Sequence, residues 1–143
     1  MNVTIERVDS FNLRNLIGHD APQEELDKHM ACITDSTMIW LARADGAEAM
    51  AMGLIPLGVL SHRAYIWLIH TRLCEQHPLR FIRWSRKVIH EALTHYPHIV
   101  GLCKCDSQHS QAWLEWLGAV FDRRDDVNGH YRFRIDGNLH LPG

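Results

Sequence analysis

No stretch of the sequence approaches the roughly 20 apolar residues that a membrane-spanning helix needs. The richest apolar window, Ala49 to Leu60, is interrupted by Gly53, Pro56 and Gly58, so no membrane span is expected. Charge of one sign is also missing. Lys and Arg number 15 against 17 Asp and Glu, a formal net charge of -2. That balance supplies no broad basic field to draw nucleic acid or anionic membrane, and no nucleic-acid partner is expected. Met1 to Ser10 mixes polar and apolar residues without the basic stretch and apolar run of a secretory leader, so the chain is expected not to be secreted. Cysteine is sparse: Cys32, Cys74, Cys103 and Cys105 are spaced without a disulfide framework, and reduced thiols are expected. Cys103-x-Cys105 with His98 or His109 lacks the second ligand pair of a structural zinc site, so no metal is expected. Linkers, repeats and low-complexity segments are absent as well.

What is present is an ordinary globular composition, 46% hydrophobic and 22% charged. The 143 residues suit a single domain over residues 1–143, with 136–143 expected to fray. The 11 histidines are the one excess. Protonating several of them below about pH 6 would turn the chain net positive.

Periodicity gives the order of elements. Val3 to Val8 alternates and predicts a strand. Asp9 or Ser10 can cap a short helix reaching Gly18. Pro22, followed by Gln23, Glu24 and Glu25, opens a second helix to about Ile33. Strands follow over Thr37 to Ala44 and Glu48 to Pro56, joined by the hairpin turn Asp45-Gly46. Ala64 to Thr71 is almost wholly apolar, as expected of a central strand. A long helix from about Pro78 to Tyr96 carries Phe81, Ile82, Ser85, Val88, Ile89, Ala92, Leu93 and Tyr96 on one face. His98 to Cys105 is a strand. Asp106 or Ser107 caps a helix from about Gln108 to Leu117 that Gly118 ends. A final hairpin uses Asp122 to Asp126, a turn at Asn128-Gly129 and the strand His130 to Ile135, with a further short strand near Val120 to Arg123 as an option. The order β-α-α-β-β-β-α-β-α-β describes an α/β fold with a mixed sheet.

That order, and the segment Ser107 to Phe121 (SQHSQAWLEWLGAVF), resembles the GNAT superfamily of N-acetyltransferases. The Gly118-Ala119-Val120-Phe121 ending, with the aromatic strand Tyr65 to His70 and the basic helix Arg80 to Lys87, is similar to a small GNAT-like internal virion protein of podophages. The resemblance implies a GNAT-like fold. It also implies that acetyl-CoA pyrophosphate would be bound at the turn before the long helix through a pattern Arg/Gln-x-x-Gly-x-Gly/Ala. Here Gln76 takes the first position and the glycine positions fall on Leu79 and Phe81, while Pro78 removes an amide donor. The family's proton-donating tyrosine corresponds to Leu114, which cannot donate. The family asparagine corresponds to Ser107.

The candidate residues follow. His70 and Ser107 are the candidate catalytic side chains, with Glu75 a weaker base than His70. Arg72, Gln76, Arg80 and Arg83 are candidate cofactor ligands, side chains replacing backbone amides. Arg80, Arg83, Trp84, Arg86 and Lys87 form a candidate interaction face, whose plain alternative is a solvated helix face. With the glycines and the tyrosine gone, the resemblance favours a non-catalytic internal virion, assembly or ejection protein with a virion or host protein as partner. It would sit in the host cytoplasm or the virion, with no cofactor. The alternative is a divergent acetyl-CoA-dependent N-acetyltransferase, and a lesser one is a phage effector that binds a host protein.

Overall fold

A computed structural model describes residues 2–137. Seven strands and five helices appear among the described residues: β1 Val3–Val8, α1 Arg14–Ile17, α2 Gln23–Asp35, β2 Met38–Ala44, β3 Ala47–Pro56, β4 Arg63–His70, α3 Arg72–Gln76, α4 Pro78–His95, β5 His98–Lys104, α5 Gln108–Trp116, β6 Val120–Val127 and β7 His130–Asp136. The strands lie in one mixed sheet in the order β1-β2-β3-β4-β5-β7-β6. The chain divides into two compact units. One runs to Ile55 and takes up Trp67–Trp84; the other holds Pro56–Ile66 and the described chain from Ser85 onward.

In the first unit β1 pairs antiparallel with β2, and β2 with β3. The β2–β3 turn has Asp45 and Gly46 at φ 50° and 83°, the two left-handed residues of a tight hairpin turn. Leu41, Ala49, Met50, Ala51, Leu54 and Phe81 are almost fully buried. Trp67 on β4 joins helix and sheet. Its indole Nε1 donates to Ser36 Oγ at 2.7 Å, and Ser36 Oγ in turn donates to the Cys32 carbonyl of α2 at 2.6 Å. Phe11 stacks on the same ring at 6.4 Å between centroids. Gly53 makes this possible: a Cβ there would lie 2.2 to 2.5 Å from the indole, so only a residue without a side chain lets the ring lie flat across β3.

In the second unit β4 pairs parallel with β5 over Arg63↔His98 to Tyr65↔Val100. β5 pairs antiparallel with β7, and β7 with β6. Ile99, Cys103, Phe133 and Ile135 are buried on one face of these strands. Phe133 packs against Phe121 at 5.5 Å, and a Cβ on Gly101 would strike the Phe133 ring at 2.5 Å. Arg123 ties β6 to α5 by donating to Gln111 Oε1 at 3.3 Å and Glu115 Oε1 at 2.7 Å. Gln111 itself is buried but satisfied, donating to the carbonyls of Lys104 and Cys105 at 3.2 and 3.0 Å.

Several expectations need correcting. The short first helix is a single turn starting only at Arg14, because Asn12 rather than Asp9 or Ser10 supplies the side-chain acceptor, Asn12 Oδ1 for the Arg14 amide at 3.1 Å. The stretch before the long helix is not all turn but contains α3. The optional strand near Val120 and the hairpin arm Asp122 to Asp126 form one strand, β6, which pairs with β7 at Val120 to Asp122 and at Asp126 and Val127, with a register shift between them. Asp136 does not fray: it ends β7 opposite His98 and is bonded to His98 Nδ1 at 3.0 Å, and the Gly137 amide donates to the Pro97 carbonyl at 2.7 Å. The rest of the expected frayed tail, 138–143, lies outside the described residues.

Candidate functional site

The predicted cofactor ligands all fall on the connection from β4 through α3 into α4, within the first unit. The entry to that connection is held by one carbonyl. The Thr71 amide and hydroxyl each donate to the Ala49 oxygen at 3.0 Å, and Cys74 Sγ donates to it at 3.3 Å. Thr71 is the N-cap of α3, yet its hydroxyl serves the sheet rather than the helix. Burial pushes the Cys74 thiol up to about 11, and the nearby Glu75 adds to the shift. This thiol is a structural anchor, not a nucleophile.

Beyond that anchor, Arg72, Gln76, Arg80 and Arg83 are exposed. Arg80 and Arg83 are three residues apart on α4 and rise on one side of it. Leu79 and Arg80 belong to the first turn of α4, whose amides have no carbonyl within the helix to bond and whose end carries partial positive charge. Phe81 is fully buried, so its side chain points into the core and away from the solvent side of the turn. Leu79 is 80% exposed and does not pack down over the turn. Of the two bulky residues in the glycine positions, Phe81 therefore takes nothing from its solvent side.

His70 ends β4 and is half-buried in the same unit. Glu75 is exposed on α3. Glu48 escaped the sequence reading. It precedes Ala49, the residue that anchors the turn, and its Oε2 is buried with no hydrogen-bond partner. A carboxylate oxygen left this way is available to a base role or to a cationic group. The only sequence signal was an acidic residue in an otherwise apolar strand.

Ser107 lies in the second unit and is occupied as the N-cap of α5. Its Oγ accepts from the Ser110 amide at 3.4 Å and donates to Ser110 Oγ at 2.8 Å. Leu114 is half-buried on the same helix, and its carbonyl accepts from Leu117 and Ala119. Along α4 the proposed interaction face divides: Arg80, Arg83 and Lys87 are exposed, Trp84 is half-buried, and the Arg86 guanidinium sits 3.7 Å above the Trp116 ring. An open hollow in the second unit, lined by Pro56, Gly58, Val59, Leu60, Ser61 and Tyr96, holds none of the predicted residues. No helix among the described residues is long and apolar enough to cross a membrane.

No family profile and no curated protein match the sequence. The fold matches many solved acetyltransferases. A putative GNAT-family acetyltransferase from Desulfovibrio desulfuricans superposes with a TM-score of 0.71 at 13% identity over 95% of this chain and 99% of that one. A Bacillus subtilis acetyltransferase solved with CoA gives 0.67 at 15% identity, over 94% and 99% of the two chains. The Campylobacter jejuni N-acetyltransferase PseH, solved with acetyl coenzyme A, gives 0.60 at 7% identity, over 94% and 99%. The chain has the GNAT fold. The expectation of a non-catalytic internal virion or ejection protein is overturned by these likenesses: the similar structures are acetyltransferases, and none points to a phage particle. That expectation rested on the missing glycines and on Leu114 in the tyrosine position, and the burial of Phe81 shows that one of the replaced glycines at least takes no room from the turn.

Proposed function

We propose that this chain is a divergent GNAT N-acetyltransferase that uses acetyl-CoA. The observation that carries the reading is the turn into α4. Exposed Arg72, on α3, and exposed Arg80 and Arg83, in the first two turns of α4, lie close in sequence to a helix N-terminus, and Phe81 turns into the core there. The similarity in fold to acetyltransferases solved with CoA and with acetyl-CoA supports it.

The residues present fit a pyrophosphate in one way and not in another. No glycine lets the backbone close around it, and Pro78 offers no amide. Guanidinium groups take over, since each can make paired charge-assisted hydrogen bonds to phosphate oxygens. Arg72, Arg80 and Arg83 would hold the pyrophosphate with Gln76 donating beside them, and the α4 N-terminus would add its partial charge. Acetyl-CoA, when bound, supplies an acetyl group activated as a thioester. In this reading His70, at the end of β4, would take a proton from an incoming ammonium at a ring nitrogen, with the Glu48 carboxylate a second acceptor. Leu114 supplies no proton, so donation falls to solvent. Positioning then carries most of the rate enhancement.

Calorimetric titration with acetyl-CoA tests the reading. Binding with a Kd of ~10 μM or tighter, weakened at least ~tenfold by Arg80→Glu with Arg83→Glu and by added salt, is the expected result. No heat at about millimolar ligand would overturn it.

A further inference from the structure

The strands of the second unit have one covered face and one open face. Register places Tyr65, Val100, Arg134 and Val120 in one row across β4, β5, β7 and β6. Leu102, Arg132 and Asp122 form the next row, Lys104, His130 and Val127 the next, and Arg63, His98 and Asp136 the row on the other side. All of these side chains share the face opposite to buried Ile99, Cys103, Phe133 and Ile135. Leu102 is 39% and Val120 44% exposed, although apolar positions on a sheet normally pack. Arg63, Lys104, Arg132 and Arg134 are exposed as well. The middle strand β7 thus carries Arg132 and Arg134 with Val100 and Leu102 of β5 on one side and Val120 and Asp122 of β6 on the other.

The charges on this face are unequally matched. Asp122 is engaged by Arg124 at 3.1 Å, and Asp136 by His98 at 3.0 Å and Arg134 at 3.1 Å. The Arg124 hydrogen bonds hold the Asp122 carboxyl below the usual carboxylate range, and the His98 hydrogen bond does the same for Asp136. Arg63, Lys104 and Arg132 have no ion-pair partner among the described residues, although Arg132 adds a weaker, longer-range pull on Asp122.

We propose that this open sheet face is a docking surface for an extended, acidic segment of another protein. The reading is independent of the acetyl-transfer proposal. Alternate residues of a strand stand roughly 6.8 Å apart, so carboxylates at every second position of an extended segment meet the rows of Arg132, Arg134 and Lys104 in register. Aliphatic residues beside them cover Leu102, Val100 and Val120. Arginine meets carboxylate as a paired donor, which fixes orientation as well as charge. A second copy of this chain fits poorly, because a two-fold contact of the face with itself sets cations against cations. Nucleic acid fits poorly too: Asp122 and Asp136 sit within the face, aliphatic side chains fill its borders, and the whole chain has a net charge of -2.

Fluorescence anisotropy with a labelled peptide alternating Glu and Val tests this, with a Lys–Val peptide and an oligothymidine of equal length as comparisons. The Glu–Val peptide should bind. Arg132→Glu with Lys104→Glu should weaken it at least ~tenfold, while Lys28→Glu on α2 should leave it unchanged. Leu102→Glu should weaken it as well, and serves as the second variant if the charge reversal impairs folding by circular dichroism. Equal binding of the Lys–Val peptide, tighter binding of oligothymidine to this face, indifference to both variants, or a dimer that Arg132→Glu with Lys104→Glu disperses in sedimentation would each overturn the proposal.

Discussion

Replacing Gly53 by alanine adds one methyl group, and the structure says where that methyl goes. Its carbon would fall 2.2 Å from Cζ2, 2.3 Å from Cε2 and 2.5 Å from Nε1 of Trp67. The backbone of Gly53 is not in the left-handed region, so no conformational strain enters and space alone decides. The indole must move, and overpacking of this kind costs about 1–3 kcal/mol. Movement of the ring also breaks the 2.7 Å bond from Nε1 to Ser36, leaving a buried donor unsatisfied at about 1–3 kcal/mol. Alanine recovers about 0.4–1 kcal/mol by restricting the unfolded chain. The net expectation is a loss of about 1–5 kcal/mol, read as a clear fall in the urea midpoint. Trp67→Phe shortens the offending ring. The double variant Gly53→Ala with Trp67→Phe should therefore be less destabilised than the sum of the singles by at least about 1 kcal/mol. A Gly53→Ala unfolding free energy within about 0.5 kcal/mol of the parent, or additive singles, would refute the account of how β3, β4 and α2 are joined.

Two further outcomes are expected. Cys74, its thiol raised to about 11 by burial, should be among the last of the cysteines to react with an aromatic disulfide in the native protein at about pH 8. Because the folded value lies above the unfolded 9.0, the preference of the fold for the neutral thiol is fully present below pH 9 and is lost as pH rises toward 11. Titrated stability that is flat across that window in the parent, or unchanged by Cys74→Ala there, would contradict it. Ser107→Ala should cost about 1 kcal/mol of stability through the lost α5 cap and leave acetyl-CoA affinity and any acetyl transfer within about twofold. A large loss of turnover at unchanged stability would instead make Ser107 catalytic.

Much of the fold was legible where local chemistry and tertiary demand agree. Asp45-Gly46 and Asn128-Gly129 predicted hairpin turns, and all four residues have positive φ, which asparagine, aspartate and glycine adopt at least cost. Gly118, at φ 102°, ends α5 as expected. The long helix buries Phe81, Ser85, Val88, Ile89 and Ala92, five of the positions its periodicity assigned to the core. What was not legible depends on partners far away in the chain. α3 forms in a stretch without strong helical pattern, its entry tied to Ala49 of β3. The hairpin arm Asp122 to Asp126 is legible from its turn, but its continuity with Val120 and Phe121 in one strand is not: β7 pairs both ends of β6 across the irregular charged run between Asp122 and Asp126. Likewise the Trp67 contact with Ser36 spans 31 residues, a separation that periodicity does not register.

The candidate site shows the same division, and with a sharper consequence. Reading a glycine pattern position by position treats each replaced glycine as an obstruction. Yet Phe81 stands four residues before Ser85 and seven before Val88, on the helical stripe that faces the core, and is wholly buried with them. A bulky side chain on that stripe takes nothing from the solvent side of the helix N-terminus. Leu79 and Pro78 are different: they do change what the backbone can offer, because a β-carbon keeps ligands farther from the amides and proline has none. The loss is therefore one of backbone donors, not of room. Side chains can replace donors if they are cationic and exposed, and Arg72, Arg80 and Arg83 are both. Such an anchor rests on long, flexible side chains in water, so its binding energy is screened by salt far more than a backbone nest would be. A steep fall of acetyl-CoA affinity between low and physiological ionic strength is thus the signature that separates an arginine-built site from a glycine-built one. A salt-insensitive affinity would mean that the ligand is held elsewhere than at this turn.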